Sequence, residues 1–223
     1  MVGGPTQRSK TKEKILSTAL ALLNNEGEPN ISSVDIAAVM EISPGNLYYH
    51  YKGKDVIIEE LFADFEDEFR QVLGAPVNKA LAIEDNWIFL YIIFEEIFDF
   101  RFFYFNLTAL LERIPTLRPK FSRLLALMQR TFEGLFTNLE QGGYLVFRPD
   151  EKRILAERLT AHFTYWLSYT QLRGYEGQVP NATPKSLIHE GVYAALTQII
   201  PYWGENSEPY AELLKEFKDE QAG

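Results

Sequence analysis

Apolar residues recur at helical spacing along nearly the whole of this 223-residue chain, and no segment of useful length alternates apolar with polar residues as a half-buried strand does. That regularity confines the chain to an all-α architecture. Ile15, Leu16, Ala19, Leu20 and Leu23 line one stripe of a first helix over 11–26, which Gly27 ends. Ser32 or Ser33 offers a cap for a short second helix through Met40, and Ser43-Pro44 caps and starts a third, proline being suited to a first helical position. A fourth, amphipathic helix over 54–73 runs into the breakers Gly74 and Pro76. Further helices are expected over 84–100, 102–113, 117–141, 151–172, 184–200 and 207–219, separated by Pro115, Gly142-Gly143, the stretch from Gly174 to Pro180, and Pro201. The reading is a three-helix domain at 1–55 joined through the 54–73 helix to a larger helical bundle at 56–223.

The net charge of −9 argues at first sight against nucleic acid, because phosphate binding needs Lys and Arg. Its distribution reverses that argument. Residues 1–55 carry six bases and six acids, so the excess falls on 56–223, with 16 bases against 25 acids. A locally basic face on an acidic body is compatible with a DNA-binding head. The chain has no cysteine, which removes disulfides and thiolate metal sites and suits a reducing compartment. With no apolar run near 18 residues and no apolar leader after Met1, the expectation is a cytoplasmic protein with no membrane partner.

The segment SSVDIAAVMEISPGNLYYHYKGKD has the layout of a helix-turn-helix. Ile36, Ala37 and Met40 face inward on the first helix, Ile42 lies in the turn, and Leu47 faces inward on the second. The second helix must project polar groups into the major groove while the first braces it across the backbone. Pro44 and Gly45 open that helix, and Gly45 lets base edges or phosphates approach the backbone. Asn46 can make paired hydrogen bonds to an adenine edge. Tyr48, Tyr49, His50, Lys52 and Lys54, with Ser33 on the bracing helix, supply donors for flanking phosphates. Through this segment, the preceding helix and GEPNISS, the first 60 or so residues resemble the TetR family of regulators. That resemblance implies a homodimer on a palindromic double-stranded operator, switched by a small ligand. The sequence departs from the family at Glu41, where glycine is usual; a left-handed turn residue other than glycine costs on the order of 1 kcal/mol.

From Trp87 to Phe105 ten of nineteen residues are aromatic, so this stretch must be buried, either as ordinary core or as the wall of a cavity. Trp87, Tyr91, Phe94 and Phe98 fall on one stripe and Phe163 and Trp166 on a later helix offer a second wall, with Tyr91, Arg101 and Asn106 as polar groups. The stretches EDNWIFLYIIFEEIFDFRFF and NLTALLERIPTLRPKF resemble the TetR-like regulators of polyhydroxyalkanoate metabolism, which implies a fatty acid or acyl thioester as effector. Leu155, Leu159, Phe163, Leu167, Leu187, Ala194, Ala195 and Ile199 make a two-helix face that either is covered by a second copy or only completes the core of a single chain.

Catalysis has little to stand on. His50 sits in the recognition helix, His162 and His189 are isolated, and neither a nucleophile with its base nor a phosphate loop is present, so no enzyme activity, metal or cofactor is expected. The alternative to a ligand-switched regulator is a DNA-bound protein-interaction factor with a filled core.

Overall fold

The computed structural model describes residues 10–75, 83–174, 183–212 and 214–215. Its elements are α1 (Lys10–Glu26), a 3-10 turn (Glu28–Asn30), α2 (Ser33–Val39), α3 (Pro44–His50), α4 (Lys54–Gly74), α5 (Ile83–Asp99), α6 (Arg101–Phe105), α7 (Leu107–Arg113), α8 (Leu117–Gln141), α9 (Glu151–Gly174) and α10 (Pro184–Thr197), then a 3-10 turn at Ile200–Tyr202. No strand occurs among the described residues; Leu145 and Trp203 make one isolated bridge. Within the expected last helix, 208–212 and 214–215 are helical, and 213 and 216–219 lie outside the described residues.

Packing divides the chain into two units, residues 1–66 with 100–118 and residues 67–99 with 119–223, rather than at residue 55. The cause is aromatic. Phe100, Phe102, Phe103 and Tyr104 are buried in the first unit, where Phe65 stacks on Phe100 at 4.7 Å and Phe62 lies 5.1 Å from Phe103. The aromatic run is therefore not one helix on one wall: Trp87 to Phe98 belong to the second unit and Phe100 to Phe105 to the first. The expected 102–113 helix is also interrupted, because Asn106 leaves helical geometry (φ −121°, ψ 20°) and its Nδ2 donates to the Phe102 carbonyl at 2.9 Å.

The second unit packs α5 against α10 and α9. Phe94 stacks on Phe163 at 4.2 Å, and Phe163 lies 5.4 Å from Phe132 of α8. Leu155, Leu159, Phe163, Leu167, Ala195 and Ile199, expected at a surface between copies, are buried within this unit. A 24-residue helix packed inside a bundle needs apolar residues on its inner side first, and Leu155, Leu159, Phe163 and Leu167 fill that need on α9. What α9 leaves outward is a different row: Ile154, Ala161, Tyr165, Tyr169 and Leu172, with Leu172 71% exposed.

Candidate functional site

The first unit builds the helix-turn-helix from local signals. Ser32 caps α2: Asp35 N–H donates to Ser32 Oγ at 3.3 Å, and the Asp35 carboxylate accepts from Ser32 N–H at 2.8 Å and from its hydroxyl at 2.6 Å. Those bonds hold the Asp35 carboxyl below its ordinary value. The cap being Ser32, Ser33 becomes the first residue of α2 and is half-exposed. At the other end of α2, Ile42 N–H donates to the Ala37 carbonyl and Glu41 N–H to the Ala38 carbonyl, both at 3.0 Å. This is a Schellman closure, whose residue past the cap must be left-handed. Glu41 has φ 57°, the left-handed conformation that favours glycine.

Ser43 then caps α3, its Oγ accepting from Asn46 N–H at 3.1 Å. Leu47 turns inward and is 1% exposed, while Pro44, Gly45, Asn46, Tyr48 and Tyr49 all face solvent and His50 is half-exposed. Tyr49 is 79% exposed and meets His50 edge to face. The Lys52 ammonium stands 4.4 Å from the Tyr48 ring centroid, so the exposed lysine beside the recognition helix is Lys52. Lys54 is placed otherwise than a free phosphate donor. Its ammonium donates to the Glu28 carboxylate at 2.7 Å and to the Glu28 carbonyl at 2.9 Å. A buried acid at 28 left no signature in the helical pattern, since it lies in the turn between helices.

Of the residues expected to line an effector wall, Phe94, Phe163 and Trp166 come together. His162 joins them, 4.9 Å from Trp166 and edge-on to Phe94 at 5.9 Å. Its Nε2 lies 2.9 Å from the Gly191 carbonyl, an acceptor only, so Nε2 carries the hydrogen. Burial lowers the His162 pKa against the opposing effect of that bond, which keeps the ring neutral near pH 7 with Nδ1 as an acceptor. Trp166 Nε1–H donates to the Leu187 carbonyl at 3.1 Å. Gly191 admits no side chain: a β-carbon there meets Trp166 Nε1 at 2.7 Å and Phe94 Cζ at 2.8 Å. Trp87 and Tyr91 pair edge to face at 6.1 Å on a half-exposed edge of α5, and Phe98 is half-exposed too. Burial, then the Glu95 charge, raises the Tyr91 pKa. Arg101 and Asn106 are members of the first unit, where Arg101 donates to Asn25 Oδ1 at 3.2 Å and Asn106 to Phe102. Ala161, a position that would have filled a cavity if it faced one, is exposed.

Among the described residues no helix is long and apolar enough to cross a membrane, and no group of three or more His, Asp or Glu is arranged to hold a metal ion. The family model described as "TetR: Bacterial transcriptional repressor" matches residues 64–210. The HTH-type transcriptional repressor KstR2 of Mycolicibacterium smegmatis is 30% identical over 78 residues, which are 33% of this chain and 38% of that protein. The chain thus spans well under half the length of that curated relative. The structure of a TetR-family transcriptional regulator from Marinobacter aquaeolei VT8 superposes with a TM-score of 0.84 at 29% identity, over 94% of this chain and 99% of that one. The fatty acid degradation regulator FadR from Bacillus halodurans shares the fold at a TM-score of 0.57 and 13% identity, over 85% of this chain and 96% of that one.

Proposed function

The chain belongs to the TetR family of bacterial transcriptional repressors, and from that premise we propose a dimeric regulator whose α2–α3 pair reads a palindromic operator and whose second unit takes a small apolar effector. The observation that carries the DNA reading is the polarity of α3: one buried leucine anchors it, and Pro44, Gly45, Asn46, Tyr48 and Tyr49 are all turned to solvent. Asn46 is the base reader, Tyr48, Tyr49, His50 and Lys52 position the phosphates, and Ser33 braces from α2. The second copy covers the outward row of α9, Ile154, Ala161, Tyr165, Tyr169 and Leu172, which lies on one helical face.

The effector we infer is a fatty acid or acyl thioester, set against the α5 and α9 aromatics. Support comes from the half-exposed Trp87, Tyr91 and Phe98 beside the buried Phe94 and Phe163, from the neutral His162 as a polar group among them, and from the sequence likeness to polyhydroxyalkanoate-metabolism regulators. The close packing around Gly191 favours a second reading, a protein-interaction factor whose core is already full. Native mass spectrometry of the purified chain, followed by titration of acyl chains of increasing length against tryptophan emission and operator binding, separates the two. A retained lipid or a length-dependent response supports the effector; silence at every length leaves the protein partner. For DNA, selection from randomised duplexes should return a palindrome, and Asn46→Ala should relax one position of each half-site by about 1–3 kcal/mol. An unchanged consensus would remove Asn46 as a reader.

A further inference from the structure

Glu28 is the only charged residue classed as buried among the described ones, with 2% exposure, and it lies in the turn between α1 and α2 rather than in any binding surface. Its carboxylate accepts from Arg113 of α7 at 2.5 Å and from Lys54, the first residue of α4, at 2.7 Å. Lys54 returns to the Glu28 carbonyl at 2.9 Å, and Arg113 also donates through Nε to Asp55 at 3.0 Å. Burial pushes the Glu28 carboxyl up, and the bonds and charges of Arg113 and Lys54 more than offset it, holding the carboxyl below its ordinary value.

A buried ion pair adds little net stability against an apolar replacement, but it severely penalises any arrangement that separates its partners. It is therefore a device for geometry. Here the geometry held is that of the DNA-binding head. Lys54 is two residues from Lys52 through Gly53, whose φ of 131° sets the chain direction into α4, and Lys52 stands over Tyr48 of α3. Arg113 ties the 100–118 segment to the same point. That segment has further polar anchors on the head, from Arg101 to Asn25, from Phe102 N–H to Asn24 at 3.0 Å, and from Thr116 to Glu59.

We propose that Glu28 is a positioning residue for operator recognition: by clamping Lys54 and Arg113 it fixes the α3–α4 junction and α7 on the helix-turn-helix, and so sets where Lys52 and the recognition helix meet the duplex. The proposal rests on the DNA-binding reading above. It makes a prediction whose sign separates position from charge. Removing an acid beside a polyanion strengthens binding to every sequence by Coulombic attraction. A positioning role does the opposite to the specific complex alone.

The test uses the full chain and the operator returned by selection with the native protein. Glu28→Gln keeps the side-chain shape and removes the charge. With circular dichroism confirming a folded chain at the assay temperature, its operator Kd should rise about tenfold, equivalent to about 1.4 kcal/mol, while its Kd for random duplex stays level or falls. An operator-to-random ratio equal to the native one, even with a lower Tm, overturns the proposal and leaves Glu28 a structural residue. Should Glu28→Gln not fold, Glu28→Asp keeps the charge and withdraws the carboxylate by one methylene. Its ratio should fall about threefold, and an unchanged ratio overturns the proposal equally. A native chain that enriches no sequence removes the DNA-binding reading itself, and this proposal with it.

Discussion

Replacing Glu41 by glycine should stabilise the protein although the residue is exposed and its side chain fills no core position. The reason is the backbone: φ is 57° because the Schellman closure of α2 leaves no alternative, with Ile42 N–H bound to Ala37 and Glu41 N–H to Ala38. A side chain in this region costs about 1–2 kcal/mol relative to the right-handed conformation. Glycine escapes that cost but brings a more disordered unfolded chain, worth about 0.5–1 kcal/mol the other way. The difference is a net gain of about 0.5–1 kcal/mol. At about 2–4 °C per kcal/mol for a chain of this length, Tm should rise by about 1–4 °C. Thermal and urea unfolding of the native chain, Glu41→Gly, Glu41→Asn and Glu41→Ala should be compared at one protein concentration, since the Tm of the proposed dimer depends on it. The expected order is glycine highest, asparagine next, alanine level with glutamate. Alanine removes the charge but keeps the β-carbon, so it isolates the backbone contribution. A glycine variant no more stable than alanine would refute the argument and place the strain elsewhere in the turn.

Lys52→Ala should lower the magnitude of the salt slope of DNA binding by about 0.9, whereas Lys54→Ala, which deprives the buried Glu28 of a partner, should lower stability by about 1–3 kcal/mol; equal slopes for Lys52→Ala and the native chain would remove that phosphate contact. Gly191→Ala should destabilise by about 1–3 kcal/mol, because its methyl is driven into the Trp166 and Phe94 rings, and should shift tryptophan emission; a native urea midpoint would show that the rings give way. His162 has a folded pKa below its ordinary 6.5, so the stability it contributes is complete above about pH 6.5 and is lost as pH falls toward the folded value. Accordingly His162→Gln should flatten the stability profile between pH 7 and 5, and an unaltered profile would count against a buried neutral ring.

Most helix positions, the caps and the helix-turn-helix layout were legible in the sequence because each depends on residues within about four positions of one another. Ser43-Pro44 starts α3, Leu47 turns inward, and Pro44, Gly45, Asn46, Tyr48 and Tyr49 turn outward from spacing alone. The left-handed state of Glu41 was equally local, since it follows from closing a helix at Met40. Periodicity along one helix says which residues share a face, not what lies opposite, and there tertiary structure decided. It divided the aromatic run between two units, setting Phe100, Phe103 and Tyr104 against the rings of Phe62 and Phe65. It took the inner face of α9 for the unit's own core and left Ile154, Tyr165, Tyr169 and Leu172 outside. It also committed Lys54 to Glu28 instead of to solvent, through a contact spanning 26 residues and completed by Arg113, 85 residues from Glu28. A buried charge is tolerated only where distant partners converge on it, and that convergence is a property of the folded chain rather than of any window of its sequence.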